Sequence, residues 1–184
     1  MTTTTRGYHH GDLRRALLAA AVEAIGESGP AALSLRDLAR RAGVSHAAPA
    51  HHFGDKAGLL TALAVEGFDL LAEALRRPGD DLLEIGVAYV RFAADHRAHF
   101  EVMFAPGLYR ADDPEVAAAR ARAGAALRGG VAALPAGSTP DRDALAAWSI
   151  VHGFATLWLA GALPPDAGRD PEATARTVIR RLFE

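Results

Sequence analysis

Ser34-Leu35-Arg36-Asp37-Leu38-Ala39-Arg40-Arg41-Ala42-Gly43-Val44-Ser45-His46-Ala47-Ala48-Pro49-Ala50-His51-His52-Phe53 is the stretch whose reading decides the fold. Ser34 stands where a helix N-cap belongs, with Asp37 three residues on as the acidic partner of a capping box. Leu35, Leu38, Ala39 and Ala42 give this short helix one apolar face, and Gly43 can take the left-handed conformation that ends it. Val44 reads as a core plug beneath the turn, and Ser45 as the N-cap of a further helix running to about His52. On that reading Pro49 is the fourth helical residue and removes an early backbone bond. Two short helices on so tight a turn, with small Ala39 at their crossing, form a helix-turn-helix. A second helix so placed can lie in the major groove of DNA with its N-terminal residues at the base edges.

Upstream, Leu13, Leu17, Ala20, Ala21, Ala24 and Ile25 recur at helical spacing until Gly29-Pro30. Downstream, Asp55 caps a long helix with the stripe Leu59, Leu60, Leu63, Ala64, Phe68, Leu71 and Leu75, stopped by Arg76-Arg77-Pro78-Gly79. Helical patterns then occupy about 80–95, 96–104, 113–133, 141–163 and 171–183, separated by proline and glycine clusters, and no useful stretch alternates with period two. The expected fold is all-α. A three-helix helix-turn-helix head spans 1–53, a larger helical body spans 54–184, and helix 55–77 is the connector.

Half of the 184 residues are hydrophobic, enough for a head fused to a larger body, and there is no cysteine for a disulfide or thiolate site. The net charge of -2 is unevenly spread. Residues 1–60 carry seven basic against five acidic side chains, +2, which leaves -4 for the remainder. Five of the eight histidines also fall in the first third. A mildly basic head on an acidic body suits contact with a polyanion through one end. The polar N-terminus lacks a signal-like apolar run, and no stretch reaches the roughly 18 apolar residues of a membrane span. A soluble cytoplasmic protein without a membrane partner is expected.

Gly43-Val44-Ser45, His52-Phe53, Gly54-Asp55, Lys56 and Leu59-Leu60 together resemble the TetR family of regulators over about residues 8–75. The lead-in Arg6-Gly7-Tyr8-His9-His10-Gly11-Asp12-Leu13 is similar to one TetR subgroup, and Trp148-Ser149-Ile150-Val151-His152-Gly153 resembles the Trp/His-Gly signature of that subgroup's C-terminal (WHG) domain. The resemblance implies a homodimer that grips double-stranded operator DNA and is released by a small-molecule effector. It further implies that Ser45, His46 and Ala47 face the groove, with Arg36 adding a base or phosphate contact and Lys56, the one lysine, meeting a phosphate at a helix N-terminus. Family members commonly carry a phosphate-binding tyrosine where this chain has Ala50, so His51 or His52 is expected to stand in for it.

In the body, Phe92, His96, Phe100, Met103, Phe104, Tyr109, Trp148 and His152 are the candidate walls of a largely apolar effector pocket. Dimerisation is expected through 141–163 and 171–183, where Ala146, Ala147, Gly153, Ala155 and Ala160 permit close approach and Leu145, Trp148, Val178 and Leu182 supply area. His96 and His99 are only half a metal site, so no metal and no cofactor is expected. Nucleophile-elbow, P-loop and dinucleotide-binding patterns are absent, which argues against an enzyme. The rival readings are a helical small-molecule-binding protein or enzyme with an incidental helix-turn-helix, and a ligand-independent DNA-binding dimer.

Overall fold

The structure, a computed structural model, describes residues 6–132 and 140–181, with side chains from Leu13 to Val131 and from Asp141 to Arg181. Leu182 therefore lies outside the described residues, as do the side chains of His9 and His10. The described elements are α1 (Arg6–Ala32), α2 (Leu35–Arg41), α3 (Ala48–Phe53), α4 (Lys56–Arg76), α5 (Leu82–Asp95), α6 (Arg97–Met103), α7 (Pro114–Ala132), α8 (Pro140–Leu159) and α9 (Pro171–Arg180). Short 3-10 turns occupy Pro106–Leu108 and Pro165–Ala167. The fold is all-α, with no strand among the described residues. None of the described helices is long and apolar enough to cross a membrane.

The chain forms two compact units. The first comprises the segment ending at Glu66 together with Ala98–Val116; the second comprises Gly67–Arg97 and the segment from Ala117 onward. The division falls inside α4 rather than at its start.

In the first unit, Leu17, Leu18, Ala21, Ala24 and Ile25 of α1 are buried, as are Leu38 and Ala39 of α2, Pro49 and Phe53 of α3, and Leu59, Leu60, Leu63 and Ala64 of α4. Gly29 breaks α1 at φ 75°, ψ 163°, after which Pro30 begins a last turn ending at Ala32. The expected capping box at α2 does not form. Ser34 has the extended backbone of an N-cap, but its side chain caps nothing, and Asp37 accepts from Arg40 Nη2 at 2.6 Å and Arg41 Nε at 2.8 Å. Guanidinium donors one turn away compete for the carboxylate with charge-assisted bonds, while exposed helix-end N–H groups can turn to water.

At the other end the expectation holds. Gly43 lies at φ 65°, its N–H donates to the Arg40 carbonyl at 3.2 Å, and the Val44 N–H donates to Ala39 at 3.0 Å, the paired bonds of a Schellman ending. Val44 itself is only half-buried.

The start of α3 is a correction. Ser45 does not cap it: the Ser45 carbonyl accepts from the Ala48 N–H at 3.0 Å, closing a turn, and the helix begins at Ala48 with Ala47 as its N-cap. Pro49 is thus the second helical residue, where its missing N–H would have no partner within the helix anyway. The proline helps to set where the helix begins.

In the second unit α5, α8 and α9 pack on one another. Gly86 of α5 marks the close approach, since a Cβ there would lie 2.8 Å from Ile179 Cδ1 and 3.2 Å from Val151 Cγ1. Asp81 caps α5 through the Glu84 N–H, and Asp170 caps α9 through the Glu172 and Ala173 N–H groups. Ion pairs Arg91–Glu172 and Arg176–Glu84 tie α5 to α9 along their length.

Candidate functional site

The surface of α2, the following turn and α3 is assembled by its buried side. Pro49 and Phe53, one helical turn apart, seat α3 in the core, which leaves Ala50 and His51 exposed and His52 half-buried. Ser45, His46 and Ala47 precede α3 and are exposed, as is Arg36 on α2. The structure therefore brings Arg36, Ser45, His46, Ala47 and His51 together on the exposed part of one helix-turn-helix. The His51 and His52 rings meet edge-on, with centroids 5.6 Å apart.

Neighbouring basic groups are engaged within the protein. Arg41 donates to both oxygens of Glu27, at 3.0 and 2.7 Å, and also to Asp37, tying α2 to α1. Arg41 holds the Glu27 carboxyl below its ordinary range, and Arg41 followed by Arg40 does the same to Asp37. Arg14 lies over the Phe53 ring, 5.4 Å from its centroid. The Lys56 ammonium donates to the Ala31 carbonyl at 2.7 Å, which orients it without neutralising its charge and leaves two further donors.

Asp55 caps α4 as the sequence implies, its Oδ1 accepting the Gly58 N–H at 2.8 Å. Between α3 and α4, the Asp55 N–H donates to the Phe53 carbonyl at 2.9 Å around Gly54, whose φ of 76° and ψ of -66° are those of a tight three-residue turn. That geometry is strained for a residue with a side chain, so glycine is required there.

The eight expected pocket residues divide between the two units. In the first, Phe100, Met103 and Tyr109 are buried and Phe104 is half-buried; the Phe100 and Phe104 rings lie 4.9 Å apart, and the Tyr109 hydroxyl donates to the Met103 carbonyl at 3.0 Å. In the second, Phe92 is buried and its ring lies 5.0 Å from that of His96.

Trp148 and His152, one turn apart on α8, meet Tyr89 of α5. Trp148 Nε1 donates to the Tyr89 oxygen at 3.3 Å, and that hydroxyl lies 2.9 Å from His152 Nδ1. Burial raises the Tyr89 phenol and lowers the His152 imidazole, so both favour their neutral forms, in which the phenol can donate to Nδ1. Among the residues that the sequence suggested for dimer contact, Ala155 is buried in its own unit, whereas Leu145, Ala146, Trp148, Ala160 and Val178 are exposed.

The family model for the Tetracyclin repressor-like C-terminal domain matches residues 82–182, and that for bacterial regulatory proteins of the tetR family matches residues 17–63. The chain belongs to the TetR family. It is accordingly a DNA-binding transcriptional regulator. No curated protein matches it. Among solved structures, it is similar to a protein of unknown function from Rhodococcus sp. RHA1, at 34% identity over 97% of each chain with a TM-score of 0.79. It is also similar to PfmR, a TetR-family transcriptional regulator from Thermus thermophilus, at 26% identity over 89% of this chain and 94% of that one, TM-score 0.61. A third similar structure is the multidrug binding protein EbrR complexed with imidazole, at 26% identity over 98% and 97% of the chains, TM-score 0.61.

Two groups of this TetR protein escaped the sequence reading. Tyr89 looks like one more apolar-stripe residue, and its partner His152 lies 63 positions away. Arg110 sits in a loop, yet its guanidinium meets both Asp55 oxygens at 3.0 and 2.9 Å. Partners so far apart in sequence leave no local spacing signal.

Proposed function

We propose that the protein is a homodimeric, cytoplasmic repressor that holds a pseudo-palindromic operator and leaves it when a small, largely apolar effector occupies its C-terminal domain. The observation that carries the DNA half is the exposed set Arg36, Ser45, His46, Ala47 and His51, seated by Pro49 and Phe53. One recognition helix reads only a few base pairs, so twofold pairing must supply a second half-site. His46 can donate or accept at a base edge, Ala47 suits a thymine methyl, and Lys56, with Arg36, His51 and His52, serves phosphates.

The dimer half rests on α8 and α9, which expose Leu145 (58%), Trp148 (37%), Leu157 (48%) and Val178 (40%). The effector half draws on two sets in the second unit, Phe92 with His96 and the hydrogen-bonded Trp148, Tyr89 and His152, whose polar groups can orient a weakly polar ligand. Phe100, Met103, Phe104 and Tyr109 are a candidate apolar lining within the first unit. The multidrug ligand preference named for EbrR favours the same chemistry. Membership of the WHG subgroup is part of this reading, since Trp148 and His152 share one polar cluster. To shift a 1:99 population to 99:1, the effector must favour the DNA-free arrangement by about 5.5 kcal/mol.

Selection from randomised duplex DNA by the purified protein tests the reading and yields a probe. On that probe His46→Ala should relax preference at one position per half-site. Lys56→Ala should weaken all duplexes alike and flatten the salt dependence by about two units per dimer, one for each half-site. A protein that enriches no sequence and binds no duplex at low salt is not an operator-binding regulator.

A further inference from the structure

Arg110 belongs to the loop after the Pro106–Leu108 turn, yet it is held at three successive levels on one side of α4. Its guanidinium grips Asp55, the α4 N-cap, through both carboxylate oxygens. A Cβ at Gly58 would collide with the Phe53 carbonyl oxygen and lie 2.6 Å from Arg110 Nη1, so only glycine lets both groups approach there. The Arg110 backbone N–H donates to Thr61 Oγ1 at 3.1 Å, and this buried threonine is itself fixed by donating to the Ala57 carbonyl at 2.7 Å. Positions 55, 58 and 61 form an i, i+3, i+6 row on a helix face. The same row touches the end of the recognition helix, because the Phe53 carbonyl over Gly58 is the last of α3.

A cation beside a helix N-terminus opposes the macrodipole, so the guanidinium is held there by the Asp55 charge and the backbone anchor at Thr61. Asp55 thereby does two jobs: it caps α4 and it recruits Arg110. We propose that Arg110 is a positioning residue of the DNA-binding unit: by bridging Asp55 and Thr61 across Gly58, it fixes the α3–α4 junction and so the pose of the recognition helix. The segment Ala98–Val116, remote from the helix-turn-helix in sequence, is then a working part of the head. The inference rests on the operator-binding reading above.

The test uses the full chain, the duplex selected by the wild-type protein and a random-sequence duplex of equal length. Arg110→Ala should weaken the selected duplex about fivefold, the scale of one exposed ion pair, with random-duplex affinity and salt dependence unchanged. Asp55→Asn keeps a good N-cap but removes the charge, and should lose a similar factor. The double variant should be no weaker than the weaker single variant, and Arg110→Lys, which keeps the charge but lacks the second guanidinium nitrogen that lies over Gly58, should fall between wild type and Arg110→Ala. Wild-type affinity in a folded Arg110→Ala overturns the proposal, and so do fully additive losses. A salt slope lowered by about two, one for each subunit, also overturns it, because Arg110 would then touch a phosphate itself. Should Arg110→Ala not fold, Asp55→Asn against Arg110→Lys decides by the same criteria. If the wild-type protein binds no duplex, the operator reading falls and this inference falls with it; a loss confined to the variants concerns Arg110 alone.

Discussion

Along α2, the turn after it and α3, the exposed side chains include Arg36, Ser45, His46, Ala47, Ala50 and His51, whereas α8 and α9 expose Leu145, Trp148, Leu157 and Val178. The first set consists of small or hydrogen-bonding groups at ease in water, and its charge waits for a polyanion. The second forgoes roughly half of the about 1.5–3 kcal/mol that full burial of each large apolar group would bring, a cost that disappears when another surface covers them. On α8 the two leucines flank a strip of small residues, Ala146, Ser149, Thr156 and Ala160, suited to close helix approach. One chain thus presents two binding chemistries, and they can be broken separately.

The largest effect is expected on the apolar side. Leu145→Glu with Leu157→Glu introduces four charges into the proposed twofold interface and should give a monomer whose operator affinity falls at least about 100-fold, read by sedimentation and DNA binding. A well-behaved dimer that keeps wild-type affinity would move the interface elsewhere.

Glycine substitutions sharpen the contrast. Gly58→Ala drives a methyl into the Phe53 carbonyl and should destabilise the fold by about 2–3 kcal/mol, lowering the thermal midpoint by roughly 5–10 °C. Gly153→Ala on α8 meets nothing within 4 Å among the described residues of its own chain and should gain up to about 1 kcal/mol of helix propensity. If Gly153→Ala weakens self-association while the thermal midpoint at high dilution stays at or above wild type, a partner chain comes within van der Waals distance of that position.

The smallest effect concerns pH. Burial holds the folded His152 imidazole below its ordinary value, so as pH falls below about 6.5 the unfolded chain takes up a proton that the folded chain does not. The contribution of neutral His152 is present above that pH and is lost as pH falls toward the folded value, so stability should decline on acidification. His152→Gln should flatten this part of the profile in chemical denaturation run from pH 7.5 to 5. An unchanged profile would assign the acid sensitivity to other groups.

How far the sequence could be read depends on how local each cause is. Gly43 ends α2 and Asp55 starts α4 through bonds within five residues, and both were legible. The capping box at Ser34 and Asp37 failed because Arg40 and Arg41, equally local, compete for the same carboxylate. The N-cap of α3 lies at Ala47 rather than Ser45 because serine can close a turn with its carbonyl as readily as cap with its hydroxyl, and spacing alone does not separate the two. The helix-turn-helix residues came from the family resemblance, and the buried Pro49 and Phe53 explain why Arg36, Ser45, His46, Ala47 and His51 face out. Tyr89 and Arg110 were not legible, since their partners are brought in by tertiary packing.

Gly54 leaves α3 and α4 with no spare chain between them. One inserted residue would have to bulge out or turn α3 by about 100° relative to α4, carrying His46 and Ala47 away from the bases they are proposed to meet. Length variation in descendants of this sequence should therefore collect in segments such as that after Arg76, and operator preference should drift through substitutions at positions 45 to 51 rather than through gaps beside them.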